Sequence, residues 1–158
     1  MKPDVKLVRI DNRLLHATIA LNWNRFVNAN HILIVNSKYE SDQFLEEIMQ
    51  LSLPKSTKIK IVSPNSLDYF LKHKIVDQAN IIILFKNLES LKIAVDNGFY
   101  FSEIQIPYIA SRVLLKNMAD YFAKDEVKII RDIQDKGMKF YFQTAPTDTK
   151  DYNFFLNE

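Results

Sequence analysis

Six short apolar runs alternate with segments of helical period along this chain, and only a few residues connect one to the next. The runs are "VKLVRI" (5–10), "HILIVN" (31–36), "KIKIVS" (58–63), "NIIILF" (80–85), "SEIQIPYI" (102–109) and "MKFYFQ" (138–143). Runs of this length rich in Val, Ile and Phe read as strands. Strands separated by helices cannot pair as hairpins. They pair in parallel, with right-handed crossovers that lay helices over the sheet. The expected fold is therefore α/β: one domain over 1–158, with a mainly parallel sheet and helices on both faces. "NIIILF" is the most apolar run and is expected at the centre. Pro107 weakens the fifth strand, because proline has no N–H to give a ladder.

The helices follow from spacing and punctuation. Leu15, Ile19, Trp23 and Phe26 share one face of a first helix. Phe44, Ile48 and Leu51 are expected inward on a helix over 41–51. Ser63 reads as an N-cap and Pro64 as the first helical residue of a helix through Lys72. A helix from about Asn87 to Asn97 stops at Gly98, and one from about Lys124 to Lys136 stops at Gly137. The tail beyond Pro146 is polar with interspersed aromatic residues, and either docks or frays.

Composition removes several function classes. Cysteine is absent, so disulfides, thiol catalysis and Cys-ligated zinc are excluded. Gly98 and Gly137 are the only glycines, which rules out glycine-rich phosphate loops. A net charge of +2, from 21 basic and 19 acidic residues spread along the chain, gives no basis for nucleic-acid binding. The three histidines are scattered and lack close carboxylate pairing, so no metal site is expected. No apolar run approaches a membrane span or a signal peptide, which fits a cytoplasmic protein. Met1 and the immediate first strand favour a separate chain.

In parallel α/β sheets, sites form at the carboxyl ends of strands. That places the residues after Ile10, Asn36, Ser63 and Phe85 first. The segment "VRIDNRLLHATIALNW" (8–23) sets Asp11, Arg13 and His16 between a strand and a helix. Such a junction offers unpaired backbone N–H groups to an anion. Arginine adds a bidentate clamp for phosphate. Histidine accepts a phosphoryl group on a ring nitrogen. Aspartate holds the arginine or fixes the histidine tautomer. The plainer reading makes Asp11 a cap, Arg13 its partner and His16 an ordinary surface residue. Residues alone leave both open.

The same segment resembles the active-site stretch of the enzyme IIB components of the bacterial phosphoenolpyruvate-dependent sugar phosphotransferase system, in the mannose/fructose/sorbose family. That pattern runs roughly R-I-D-D-R-L-I-H-G-Q-V and ends in tryptophan. Arg9, Ile10, Asp11, Arg13, Leu14, His16 and Trp23 fall on it. The segments "HILIVNSKYESDQF", "IIILFKNLESLKIAVDNGF" and "KDEVKIIRDIQDKGMKFYFQTAP" extend the likeness over most of the chain. The resemblance implies a phosphocarrier. His16 takes a phosphoryl group from a phosphorylated IIA domain and passes it to a sugar imported by membrane IIC/IID components. Arg13 stabilises the transferring group and Asp11 orients the loop. Beyond the transient phosphohistidine no cofactor is implied, and the chain is expected to sit peripherally on the transporter. A homodimer is compatible with the sequence.

Departures from the pattern matter. Ala17 and Thr18 stand where the family has Gly and Gln, and Asn12 replaces a second aspartate. "IQIPYIASR" lacks the glycines of the family's "INVGGM" stretch. Thr18 and Asn12 are candidate replacements for lost phosphate contacts, as are Ser111 and Arg112. Asn36 and Lys86 end strands on the expected site edge. Lys86 would attract a phosphorylated partner, or is simply solvated. His31 and His73 read as structural or exposed. Glu46, Glu47, Asp125 and Glu126 read as solvated helix faces or first-turn charges. The missing glycines also motivate an alternative: a IIB-like regulatory or binding module that has lost the chemistry.

Overall fold

The computed structural model describes residues 3–40, 42–108 and 116–156. Its strands are β1 (Asp4–Ile10), β2 (His31–Val35), β3 (Lys58–Val62), β4 (Asn80–Phe85), β5 (Glu103–Ile106) and β6 (Lys139–Phe142). They form one sheet in the order β3-β2-β4-β1-β5-β6. Every ladder is parallel, so the sheet is wholly rather than mainly parallel. In register, Ile10 and Val35 both sit opposite Phe85, which aligns the strand carboxyl ends.

Side-chain alternation on the central strands builds two cores. Ile81, Ile83 and Phe85 of β4 point to one face with Val8 and Ile10 of β1. That face is covered by α3 (Leu67–His73), α4 (Leu88–Asp96) and α5 (Lys124–Asp135) through Leu67, Leu91 and Ile130. Ile82 and Leu84 point to the other face with Leu7. There they meet the first helix, through Ile19 and Trp23, and α2 (Gln43–Gln50), through Leu45 and Met49. All five β4 residues from Ile81 to Phe85 are fully buried. Each such side chain contributes roughly 1.5–3 kcal/mol of burial free energy.

The tail docks. Phe142 and Asp151 exchange backbone hydrogen bonds of 2.9 and 3.0 Å, forming an antiparallel bridge on the outer edge of β6. Phe154 and Phe155 then pack into the first core. Gly98 ends α4 at φ +102°, and a Cβ there would meet Asp68 Oδ2 at 3.0 Å. Only glycine fits both the conformation and the space.

Four local expectations are corrected. On α2, Phe44 and Leu51 are 73% and 87% exposed and Ile48 also faces out. The Asp42 carboxylate accepts the Leu45 N–H and starts the helix in a phase that turns Leu45 and Met49 inward. Glu46 is a first-turn charge of that helix, one of the two readings the sequence allowed, and it is engaged rather than free: its Oε1 accepts the Ile61 N–H at 2.8 Å and pairs with Lys60 at 3.4 Å. Ser63 and Pro64 open a turn rather than a helix. The Ser63 hydroxyl lies 2.7 Å from that of Ser66, and α3 starts at Leu67. The first helix runs in wide π turns over Thr18–Trp23 before a short α1 (Asn24–Phe26). This rotates Phe26 out to 66% exposure while Ile19 and Trp23 stay buried. β5 stops at Ile106, immediately before Pro107, and Ile109 lies outside the described residues.

Candidate functional site

β1 and β4 are neighbours whose following helices leave to opposite faces of the sheet. The crevice between their carboxyl ends is where open parallel sheets place ligands. Asp11 sits there, its N–H donating to Phe85 O at 2.8 Å. Its side chain follows the alternation of Leu7 and Arg9 to the face under the first helix.

The Asp11 carboxylate is the hub, 3% exposed. Arg9 donates to Oδ2 from Nε at 3.2 Å and Nη2 at 3.1 Å. Arg13 grips both oxygens, from Nε to Oδ1 and Nη2 to Oδ2, each at 3.1 Å. The Arg13 N–H also donates to Oδ1, closing a turn of the kind aspartate favours. His16 Nε2 completes the set at 2.8 Å from Oδ2. An ionised carboxylate only accepts, so this nitrogen carries the hydrogen and the Nδ1 lone pair is left in the plane of the ring. Burial pushes the Asp11 carboxyl up, but hydrogen bonds from Arg13 and His16 and the charge of Arg9 outweigh it and bring it down to about 2.

Arg9 is itself fully buried. Its Nη1 donates to Gln105 Oε1 and to Thr144 O, both at 2.8 Å. Gln105 passes the network to Gln143 at 3.1 Å. The Trp23 indole N–H also donates to Thr144 O, at 2.9 Å, tying the first helix to the same carbonyl. Desolvation lowers the Arg9 pKa, and the Asp11 charge opposes that shift. The loop is under backbone strain. Leu14 holds φ +55° between Arg13 and Leu15, with its side chain buried beside Ile19 and Trp23. A bulky residue in the left-handed region costs of order 1–3 kcal/mol and persists where surrounding packing enforces it, often at functional sites.

Asp11, Arg13 and His16 thus come together as the sequence suggested. Asn12 and Lys86 are exposed and line a neighbouring cleft of about 540 Å³ that Asp11 and Arg13 also border. Thr18 opens the first helix, half-buried, with no hydrogen bond to the cluster among the described residues. Asn36 is not brought in: it is buried on β2's end, its Oδ1 accepting the Lys38 N–H at 3.0 Å. Ser111 and Arg112 lie outside the described residues. His31 lies at the opposite end of the sheet, its Nδ1 2.8 Å from Asn30 Oδ1, and His73 packs on Tyr69 at 4.6 Å. Among the described residues, no group of three or more His, Asp or Glu is placed to hold a metal ion. No helix of the described residues is long and apolar enough to cross a membrane. Sequence reasoning missed the support beneath Asp11. Arg9 was visible as an arginine inside an apolar strand, a placement that requires a buried partner.

Fold and site together define a class: a parallel α/β domain that presents a carboxylate-held histidine at the carboxyl ends of its strands. Residues 5–157 match the family described as the PTS system sorbose subfamily IIB component, and the chain belongs to that family. It is 22% identical over 146 residues to the sorbose-specific EIIB component of Klebsiella pneumoniae, covering 91% of this chain and 89% of that one. It is 21% identical to the N-acetylgalactosamine-specific enzyme IIB component 2 of Escherichia coli K12, covering 92% and 94%. The fold is shared with an N-acetylgalactosamine IIB component of Streptococcus pyogenes, with a TM-score of 0.78 at 24% identity over 94% of this chain and 93% of that one.

Proposed function

We propose that this chain is a phosphohistidine carrier. It accepts a phosphoryl group from the phosphohistidine of a IIA domain onto Nδ1 of His16. It then passes the group to a sugar brought in by membrane IIC and IID components, working peripherally on the cytoplasmic side. The observation that carries this reading is the 2.8 Å bond from His16 Nε2 to Asp11, because it leaves Nδ1 as the nucleophile. The ring is only 16% exposed, which fixes its direction of approach.

The balance is simple. The Nδ1 lone pair attacks phosphorus as the donor's P–N bond breaks. The ring gains positive charge, which the Asp11 carboxylate neutralises across Nε2–H. One carboxylate set against two guanidinium groups leaves the cluster with surplus positive charge, which suits a phosphoryl dianion. Arg13, with its side chain 55% exposed, is free to turn one edge of its fork from Asp11 to the phosphoryl oxygens. Such transfer needs positioning and charge stabilisation more than covalent help from the protein.

The test is intact-mass analysis after incubation with phosphoenolpyruvate, enzyme I, the carrier HPr and a matched IIA protein. Wild type should gain an acid-labile phosphate and His16→Ala should gain none. Arg13→Ala should label more slowly, by about 10-fold or more, with its fold intact. Labelling that persists in His16→Ala sinks the reading. A wild-type chain left unlabelled by an active IIA protein supports the regulatory module instead.

A further inference from the structure

The amino ends of β2 and β3, at the opposite end of the sheet from His16, border a groove of about 260 Å³. His31 of β2, Lys58 and Lys60 of β3, and Lys74 at the end of α3 line it. Phe70 and Ile75, packed on the first core, add apolar surface. No carboxylate is among the lining residues. The whole chain carries only +2, so this groove concentrates positive charge well beyond the average of the surface.

Sheet register assembles the cluster. His31 sits opposite Lys58 and Leu33 opposite Lys60, which turns both lysines to the face that α3 covers. Like charges so close on one face repel each other. Lys60 has a partner in Glu46 at 3.4 Å, through an oxygen that the Ile61 N–H already shares. Lys58 and Lys74 make no ion pair and no side-chain hydrogen bond among the described residues. Lys72, also on α3, is different: it pairs with Asp68 at 2.7 Å and does not line the groove. Phe70 O receives the Lys74 and Ile75 N–H groups at 2.9 and 3.2 Å, so that carbonyl is already occupied.

The histidine is set in one tautomer. Asn30 Oδ1 accepts the Asn80 N–H at 2.8 Å, and His31 Nδ1 lies 2.8 Å from the same oxygen. Nδ1 therefore carries a hydrogen, and Nε2 is left without a partner among the described residues. Burial, and to a lesser extent the charge of Lys58, lowers the His31 pKa. The charged groups lining the groove with this ring are the three lysines, and all of them oppose its protonation.

Lysine ammonium groups act as point charges, which hold phosphate without the planar match that a guanidinium offers a carboxylate. The groove falls just below the roughly 300 Å³ at which sites for drug-sized ligands begin. We propose that it binds a small phosphomonoester with an apolar stem, the phosphate among Lys58, Lys60 and Lys74 and the stem on Phe70 and Ile75. A seated dianion reverses the balance at His31, so the ring gains a proton and donates from Nε2. This site is separate from the chemistry of His16 and does not rest on it.

The experiment titrates the full chain with phenyl phosphate, benzoate and inorganic phosphate, followed by NMR. Salt at about 0.15 M screens loose surface pairing. Phenyl phosphate should bind about tenfold tighter than benzoate and several-fold tighter than inorganic phosphate. It should shift the Lys58, Lys60 and Ile75 amides and move the His31 ring carbons toward their imidazolium positions. Lys58→Gln and Lys74→Gln should each weaken binding about fivefold, while Lys72→Gln leaves it unchanged. Shifts confined to residues 11–16, equal affinity for all three anions, or no loss in Lys58→Gln and Lys74→Gln overturns the proposal. Sedimentation with phosphatidic acid vesicles separates a free ligand from a lipid headgroup. The chain should stay in solution, and vesicle binding that Lys58→Gln abolishes would overturn the free-ligand assignment.

Discussion

The two flanks of the sheet are stabilised in different ways. Under the first helix and α2, the β2–β3 flank presents Ile32, Ile34 and Ile61, all buried and apolar. On the same face, the β5–β6 flank presents Gln105, Tyr141 and Gln143, buried and polar, next to Arg9. Apolar packing is non-directional, so the first flank tolerates small shifts. A buried hydrogen-bond network holds only if each member finds its partner. The Asp11–Arg13–His16 cluster hangs from the second flank, where directional bonds fix the Asp11 carboxylate and, through it, one nitrogen of His16.

That contrast predicts a ranking. The largest effect should come from Arg9→Leu, which takes the fully buried partner from the Asp11 carboxylate, leaves Gln105 Oε1 without its donor and leaves Thr144 O with the Trp23 indole alone. The expected loss is about 3–5 kcal/mol in urea unfolding, whereas Ile32→Val on the apolar flank should cost roughly 1 kcal/mol. Equal losses would break the comparison. The next effect is visible in pH. The Asp11 carboxyl titrates at about 2 in the folded chain against an ordinary 3.8. The ionised form therefore stabilises the fold fully above the ordinary value, and that stability drains away as pH falls through about 2. It amounts to roughly 2 kcal/mol. The unfolding free-energy gap between wild type and Asp11→Asn should shrink across that window, and a constant gap would show that Asp11 is not the linked group. The smallest effect belongs to the outer face of α2, where Phe44→Ser and Leu51→Ser should each change stability by no more than about 0.5 kcal/mol.

Strand content and order of elements were legible because buried parallel strands are written as unbroken apolar runs. Asp11, Arg13 and His16 were legible because they lie within six residues and their interaction is local. The misread parts depend on contacts distant in sequence or on exact helical phase. Nothing in "SDQFLEEIMQL" distinguishes a stripe led by Phe44 from one led by Leu45. The Asp42 cap and the grip of Glu46 on β3 decide it. The π turns over Thr18–Trp23 shift Phe26 by a fraction of a turn that a regular period does not contain. The roles of Gln105 and Thr144 come from partners that the sheet brings alongside β1 from 96 and 135 residues away.

The grip of Glu46 has a consequence for association. β3 is an outer strand, and its Ile61 N–H faces away from the sheet, where the Glu46 carboxylate already occupies it. On the opposite margin, the chain turning back at Asp151 takes the outward groups of Phe142. Both margins thus carry a plug made from the chain's own atoms. A visiting strand finds no continuous row of donors and acceptors to extend. The same plugs let a six-stranded parallel sheet remain finite in a crowded cell.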